Sequence, residues 1–240
     1  MSEATLLDHS IQQLVLANRV LANENVIDGF GHVSVRHPTN PDRFLLSRSR
    51  SPEVVTRDDI MEFELDGTLV SDDPRRPYAE RFIHGTIYMA RPDVNSVSHH
   101  HAHAVIPFSM TDVPLRPAFH MGSVMGAHVP VWDSQPEFGD TNMIVDSLDM
   151  GHSLARTLGD GRTALLRGHG IDLHERQRRT GAQHFAPGAA EVSFQRRNRK
   201  SEQHAAQRHA PVAGLGLLDR QSRFPGHLVP DTAKPDRSAK

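Results

Sequence analysis

The apolar periodicity that builds a core stops near Ile171, and that boundary limits what this 240-residue chain can fold into. The stretch from Asp172 to Lys240 is rich in Arg, Gln, His, Ala and Pro and has few periodic apolar positions. It holds 13 Lys and Arg against 7 Asp and Glu, a surplus of six positive charges in a chain of net charge −2. A segment of this kind buries too little apolar surface to offset its ordering entropy. Residues 172–240 therefore read as an atypical basic tail, disordered or translated in a shifted frame. Residues 1–171 read as one folded domain.

Within that domain the patterns are mixed. Leu6, Leu7, Ile11, Leu14, Val15, Asn18 and Leu21 fall near one face of a helix over Thr5–Asn25. HVSVR after Gly31, Arg43–Ser47 and Ile60–Leu65 alternate like strands, and Asp66-Gly67 marks a hairpin turn. Tyr78–Ala90 has a helical pattern ended by Pro92, and Val94–Ser98 is a strand running into histidines. Thr141–Leu158 reads as a second long helix, with Thr163–Arg167 a short buried strand before Gly168-His169-Gly170. Strands and helices lack a regular βαβ alternation. The expectation is an α/β fold whose antiparallel or mixed sheet is flanked by helices.

Several function classes drop out early. The near-balance of charge argues against a nucleic-acid binder that works by bulk charge. With no Cys, thiolate metal sites, disulfides and Cys nucleophiles are excluded. No apolar run reaches the roughly 20 residues of a membrane helix. The first residues, MSEATLLDHSIQQ, lack the layout of a signal peptide, so the expected location is the cytoplasm and no membrane partner is expected.

Histidine is the positive signal, with 17 in the chain and several in SHHHAHA. On a strand, His99 and His101 share a face while His100 points away. His103 follows the strand and swings elsewhere. His169, held between glycines, offers a third imidazole. Three imidazoles with an open position suit a catalytic Zn, Mn or Fe ion. Glu80, on the helix preceding the strand, can return to that site as a fourth ligand or as an acid/base. Spacing alone leaves surface or core histidines, and an exposed glutamate, as the alternatives.

Glu80 with His84 four residues later, His99-x-His101 and the late LLRGHG together resemble the class II aldolase/adducin family over about Thr5–Ile171. The resemblance implies a three-layer α/β/α fold with a mixed, largely antiparallel central sheet. It implies cyclic homo-oligomers, commonly tetramers, with Glu80 as acid/base and His99, His101 and His169 holding one divalent ion.

The departures point within the family. Its sugar-phosphate aldolases and epimerases hold phosphate with a G-N-x-S element and a Ser-Ser before the Glu. Here those positions read Gly31-His32-Val33-Ser34 and Tyr78-Ala79-Glu80, and Met121 stands where fuculose-phosphate aldolases carry a catalytic Tyr. GFGHVSVRHP, SRSRSPE, RRPYAERFIHG and HAVIPFS instead resemble the decarboxylase branch. That branch acts on hydroxylated aromatic or pyridine dicarboxylates such as 3,4-dihydroxyphthalate, so the expected partner is a small aromatic carboxylate.

On this reading Glu80, kept partly protonated by burial, delivers a proton to the ring carbon. His120 is a second catalytic candidate. Arg48, among hydroxyls such as Ser47, holds the remaining carboxylate, and His32 or His120 orients a substrate group. The alternatives are surface ion pairs for Arg48 and Arg50 and a core position for His120. At the level of the protein they are a sugar-phosphate aldolase or epimerase, an adducin-like scaffold, or a truncated inactive copy. The last arises because DLHERQRRTG replaces the family's Gly-x-Ser turn and following helices.

Overall fold

The computed structural model describes residues 2–176. The elements in chain order are α1 (Glu3–Asn23), β1 (His32–Arg36), β2 (Arg43–Ser47), β3 (Ile60–Glu64), α2 (Arg81–Ala90) and β4 (Val94–His100). They continue as α3 (Ile106–Met110), β5 (Val131–Trp132), α4 (Gln135–Phe138), α5 (Leu148–Leu158), β6 (Thr163–Leu166) and β7 (Gly170–Arg176). The seven strands form one sheet in the order β3-β2-β1-β4-β7-β6-β5. Every pair is antiparallel except β5 with β6.

Strand alternation sorts the core into two sides. Phe44, Leu46, Met61, Phe63, Val97, Ala164 and Leu166 face α2 and α5, meeting Ile83, Ile87 and Leu154. Val33 and Leu45 face α1, where Leu14 and Leu21 cover them. Leu165 and Ile171 continue that second side under Val105 and Phe108. The result is the expected three-layer α/β/α arrangement with a mixed, largely antiparallel sheet. Asn18 sits on the apolar face of α1, as its spacing indicates. Its cost there is offset in part by an Nδ2 bond to Leu14 O at 2.9 Å.

Two helix expectations are too long. The helix expected over Tyr78–Ala90 begins only at Arg81, and Glu80 is its N-cap residue without capping its own helix. The helix expected over Thr141–Leu158 begins at Leu148, because Ser147 Oγ accepts from Met150 N and stops it there. Met143 upstream has φ 64, and Val145 N is committed to Glu80, so neither joins the helix.

The expected boundary at Ile171 falls inside β7, which continues to Arg176 beside β4 and β6. Asp172, assigned by composition to the tail, is buried in the sheet. The tail reading of residues 177–240 lies outside the described residues.

Candidate metal centre and active site

Register builds the site. His32 on β1 pairs with His99 on β4, which pairs with Asp172 on β7, so three polar side chains cross the middle of the sheet in one row. All three are buried, a costly placement unless each polar atom finds a partner. His99 Nδ1 lies 2.7 Å from Asp172 Oδ1. His101, two residues on and just past the strand, has Nδ1 at 3.1 Å from Asp28 Oδ1. Asp28 is itself held by the backbone N–H groups of Phe30 and Gly31 at 3.1 and 2.8 Å.

His169 enters from the turn between β6 and β7. Gly168 has φ +64, a conformation that disfavours side chains. Gly170 makes room: a Cβ there would stand 2.6 Å from His100 O, 3.2 Å from the His101 ring and 3.3 Å from the His99 ring. The GHG motif is therefore a steric requirement of bringing β7 alongside the histidines.

The ligand atoms converge. His101 Nε2 is 3.1 Å from His99 Nε2 and 3.2 Å from His169 Nε2. Glu80 Oε2 is 3.6 Å from His99 Nε2, and its Oε1 is 3.5 Å from His169 Nε2. All four ligand atoms fall within 4.8 Å of one another. Bonds of about 2.0–2.1 Å to a tetrahedral ion place ligand atoms roughly 3.4 Å apart, close to these spacings. The Nδ1 atoms of His99 and His101 face carboxylates, which leaves Nε2 for the centre, as in known carboxylate–histidine–metal arrangements. Three ring nitrogens this close are tolerable only with positive charge among them. The residues fit a divalent ion.

Electrostatics agree. Burial opposes a charge on His99, but Glu80 and Asp172 outweigh it and raise the imidazole to about 9. Burial lowers His169 to about 4, helped by the charge on His99. For Glu80, burial alone would raise the carboxyl, yet His99, His32 and His169 together hold it well below the usual carboxylate range. This corrects the expectation that burial keeps Glu80 partly protonated. It is a carboxylate, with Oε1 also accepting from Val145 N at 3.2 Å.

The other candidates are placed unevenly. His32 Nε2 lies 3.8 Å from Glu80 Oε2, and its ring stacks on His99 at 5.0 Å and tilts against Tyr78 at 4.4 Å. Ser47 is fully buried at the end of β2. Arg48 is committed to an ion pair, Nε to Asp59 Oδ1 at 2.6 Å, and Arg50 meets the same oxygen at 3.4 Å. His120 is exposed on a short 3-10 turn and makes no hydrogen bond to the four-residue cluster. His100 is buried on the opposite sheet face, as the strand period indicates, and His103 is exposed in the turn that follows β4. Asp28, Asp172 and Val145 were not foreseen. Only Asp172 carried a signal, since it follows His169 by three residues and ends the apolar run.

Comparison with known proteins places this geometry. Residues 12–175 match the family model described as the class II aldolase and adducin N-terminal domain. The decarboxylase TropJ of Talaromyces stipitatus is 32% identical over 174 residues, covering 67% of this chain and 65% of its own length. A 3,4-dihydroxyphthalate decarboxylase of Arthrobacter keyseri is 28% identical over 175 residues, covering 67% and 66%. The chain thus spans just under two thirds of the length of these curated relatives. An L-fuculose 1-phosphate aldolase from Glaciozyma antarctica has a similar fold, with TM-score 0.63 at 20% identity over 90% of this chain and 80% of that one. The strand row, the histidine triad and the family match lead to one conclusion: this chain belongs to the class II aldolase and adducin family.

Proposed function

We propose that this protein is a carboxy-lyase that removes CO₂ from a hydroxylated aromatic dicarboxylate such as 3,4-dihydroxyphthalate, using one divalent ion. The observation that carries this reading is the ring pair beside Glu80. His32 and Tyr78 lie 4.4 Å apart at positions where the family's sugar-phosphate enzymes have small phosphate-binding groups. Rings in place of small hydroxyl donors leave a phosphate dianion without the hydrogen bonds it needs. The decarboxylases among the relatives support the same choice.

His99, His101 and His169 would hold the ion, with Glu80 alongside. When bound, Zn, Mn or Fe supplies Lewis-acid stabilisation of negative charge developing on substrate oxygen. The residues do the rest. Glu80, a carboxylate, takes the proton from the hydroxyl beside the leaving carboxylate and returns it to the ring carbon. The bond to the carboxylate breaks, CO₂ leaves, and a C–H bond forms at the same carbon. His32 Nε2, buried and without a hydrogen-bond partner among the described residues, faces this space and orients a substrate oxygen. Arg50 and Arg48, fixed on Asp59, are the cations for the carboxylate that stays.

The family resemblance also implies a homo-oligomer. Phe30, Met110 and Val113 are exposed apolar side chains that a neighbouring copy would cover. No described helix is long and apolar enough to cross a membrane.

The test is to incubate the ion-loaded protein separately with 3,4-dihydroxyphthalate and with fuculose 1-phosphate. CO₂ from the first alone is expected. Release of triose phosphate from the second would overturn the assignment.

A further inference from the structure

Behind Glu80 runs a line of buried polar side chains that metal binding does not require. His32 Nδ1 lies 2.6 Å from His84 Nε2. His84 Nδ1 lies 2.6 Å from Ser34 Oγ, which lies 2.7 Å from the Tyr88 hydroxyl. His32, His84, Ser34 and Tyr88 are essentially inaccessible to solvent. Strand β1 supplies His32 and Ser34, two residues apart on one face, and α2 supplies His84 and Tyr88, four apart on one face. Two periodicities therefore place four polar groups in register.

All four lie out of reach of water, where neutral groups joined by hydrogen bonds cost far less than charged ones. Such a line has only two hydrogen-bond directions, and the Glu80 end, 3.8 Å from His32 Nε2, selects one. At one end stands the Glu80 carboxylate, which can only accept. At the other, the Tyr88 phenol lies 2.7 Å from Ser34 Oγ and can donate along the line. Tyr88 thus donates to Ser34, Ser34 to His84 Nδ1, and His84 Nε2–H to His32 Nδ1. His32 must then carry its hydrogen on Nε2, on the side of Glu80.

We propose that His84 and Ser34 are positioning residues for the reaction, fixing His32 in the tautomer that presents its Nε2–H to Glu80 and substrate. In the opposite tautomer His32 would turn a lone pair toward the carboxylate, repelling it and a substrate oxygen alike. The proposal rests on the decarboxylase reading for its kinetic consequence but not for the tautomer itself. A purely structural role for the line would be satisfied by either direction.

The test uses the full chain loaded with zinc and labelled with ¹⁵N-histidine, the His32 and His84 signals assigned with His32→Gln and His84→Gln. Ser34→Ala removes the donor to His84 with little change in volume. It is expected to change the His84 and His32 tautomer pattern and to lower kcat by about ten- to a hundred-fold, the usual scale for losing a group that orients an active imidazole. KM and zinc content are expected to stay near wild type. Tyr88→Phe leaves the Ser34 hydroxyl able to donate, so the tautomers persist and kcat falls less. An unchanged nitrogen pattern in Ser34→Ala, or an unchanged kcat, would overturn the proposal. If the wild-type protein releases no CO₂ while Ser34→Ala still switches the tautomers, the substrate assignment fails and the ordering of His32 stands.

Discussion

His99 Nδ1 and Asp172 Oδ1 meet at 2.7 Å on adjacent central strands, both side chains buried. The contact fixes the ring so that Nε2 points at His101 and Glu80. Replacing Asp172 by Asn keeps an acceptor but removes the charge. Affinity for zinc, measured by competition with a chelator, is expected to fall about ten- to a hundred-fold. An unchanged affinity would mean that Asp172 serves the sheet and not the ion.

Gly170 allows β7 to approach the cluster. In Gly170→Ala the new methyl meets His100 O at 2.6 Å and the rings of His99 and His101 at 3.3 and 3.2 Å. Backbone must move, at a cost of about 1–3 kcal/mol. The variant is expected to melt lower and to hold less metal, readable by calorimetry and elemental analysis on the same sample.

Glu80→Gln removes the carboxylate but leaves the three histidines. Turnover is expected to fall by at least about a hundred-fold, the scale of a lost acid/base group, with metal retained. An active variant would remove Glu80 from the mechanism.

Asp59 ties the Arg48–Arg50 strand end to the turn at Thr56. Burial alone would raise its carboxyl, but bonds from Thr56 N, Thr56 Oγ1 and Arg48, with the charge of Arg50, lower it from 3.8 to about 2. Because the folded value is the lower one, the stabilisation is full above pH 3.8 and is lost as pH falls toward 2. With the arginines partly exposed, the contribution is about 1–2 kcal/mol. Denaturant unfolding from pH 5 to 2 is expected to show a shallower pH dependence in Asp59→Asn than in the wild type.

The parts of this molecule legible in sequence were those that a period expresses. HVSVR and RFLLS became strands with the expected limits, and H-x-H on a strand put His99 and His101 together. Relations between distant segments were not legible. Asp28 reaches His101 across 73 residues, and the Asp172 carboxylate lies equally far along the chain from His99. Composition misled at Asp172 because a buried edge of the site is written in polar letters. Periodicity misled at Thr141–Ser147, where the backbone N–H of Val145 serves Glu80 instead of a helix. His84 was visible only as part of a motif, since its partners lie on another strand.

The central claim is that three imidazoles from two distant stretches of chain bind one catalytic ion beside Glu80. The most direct measurement is the metal content of the purified full chain after equilibration with zinc, manganese or iron and removal of excess. One divalent ion per chain is expected, lost when His99, His101 and His169 are all replaced by Gln. A wild-type protein that holds no ion at saturation, or a triple variant that keeps it, would contradict the account.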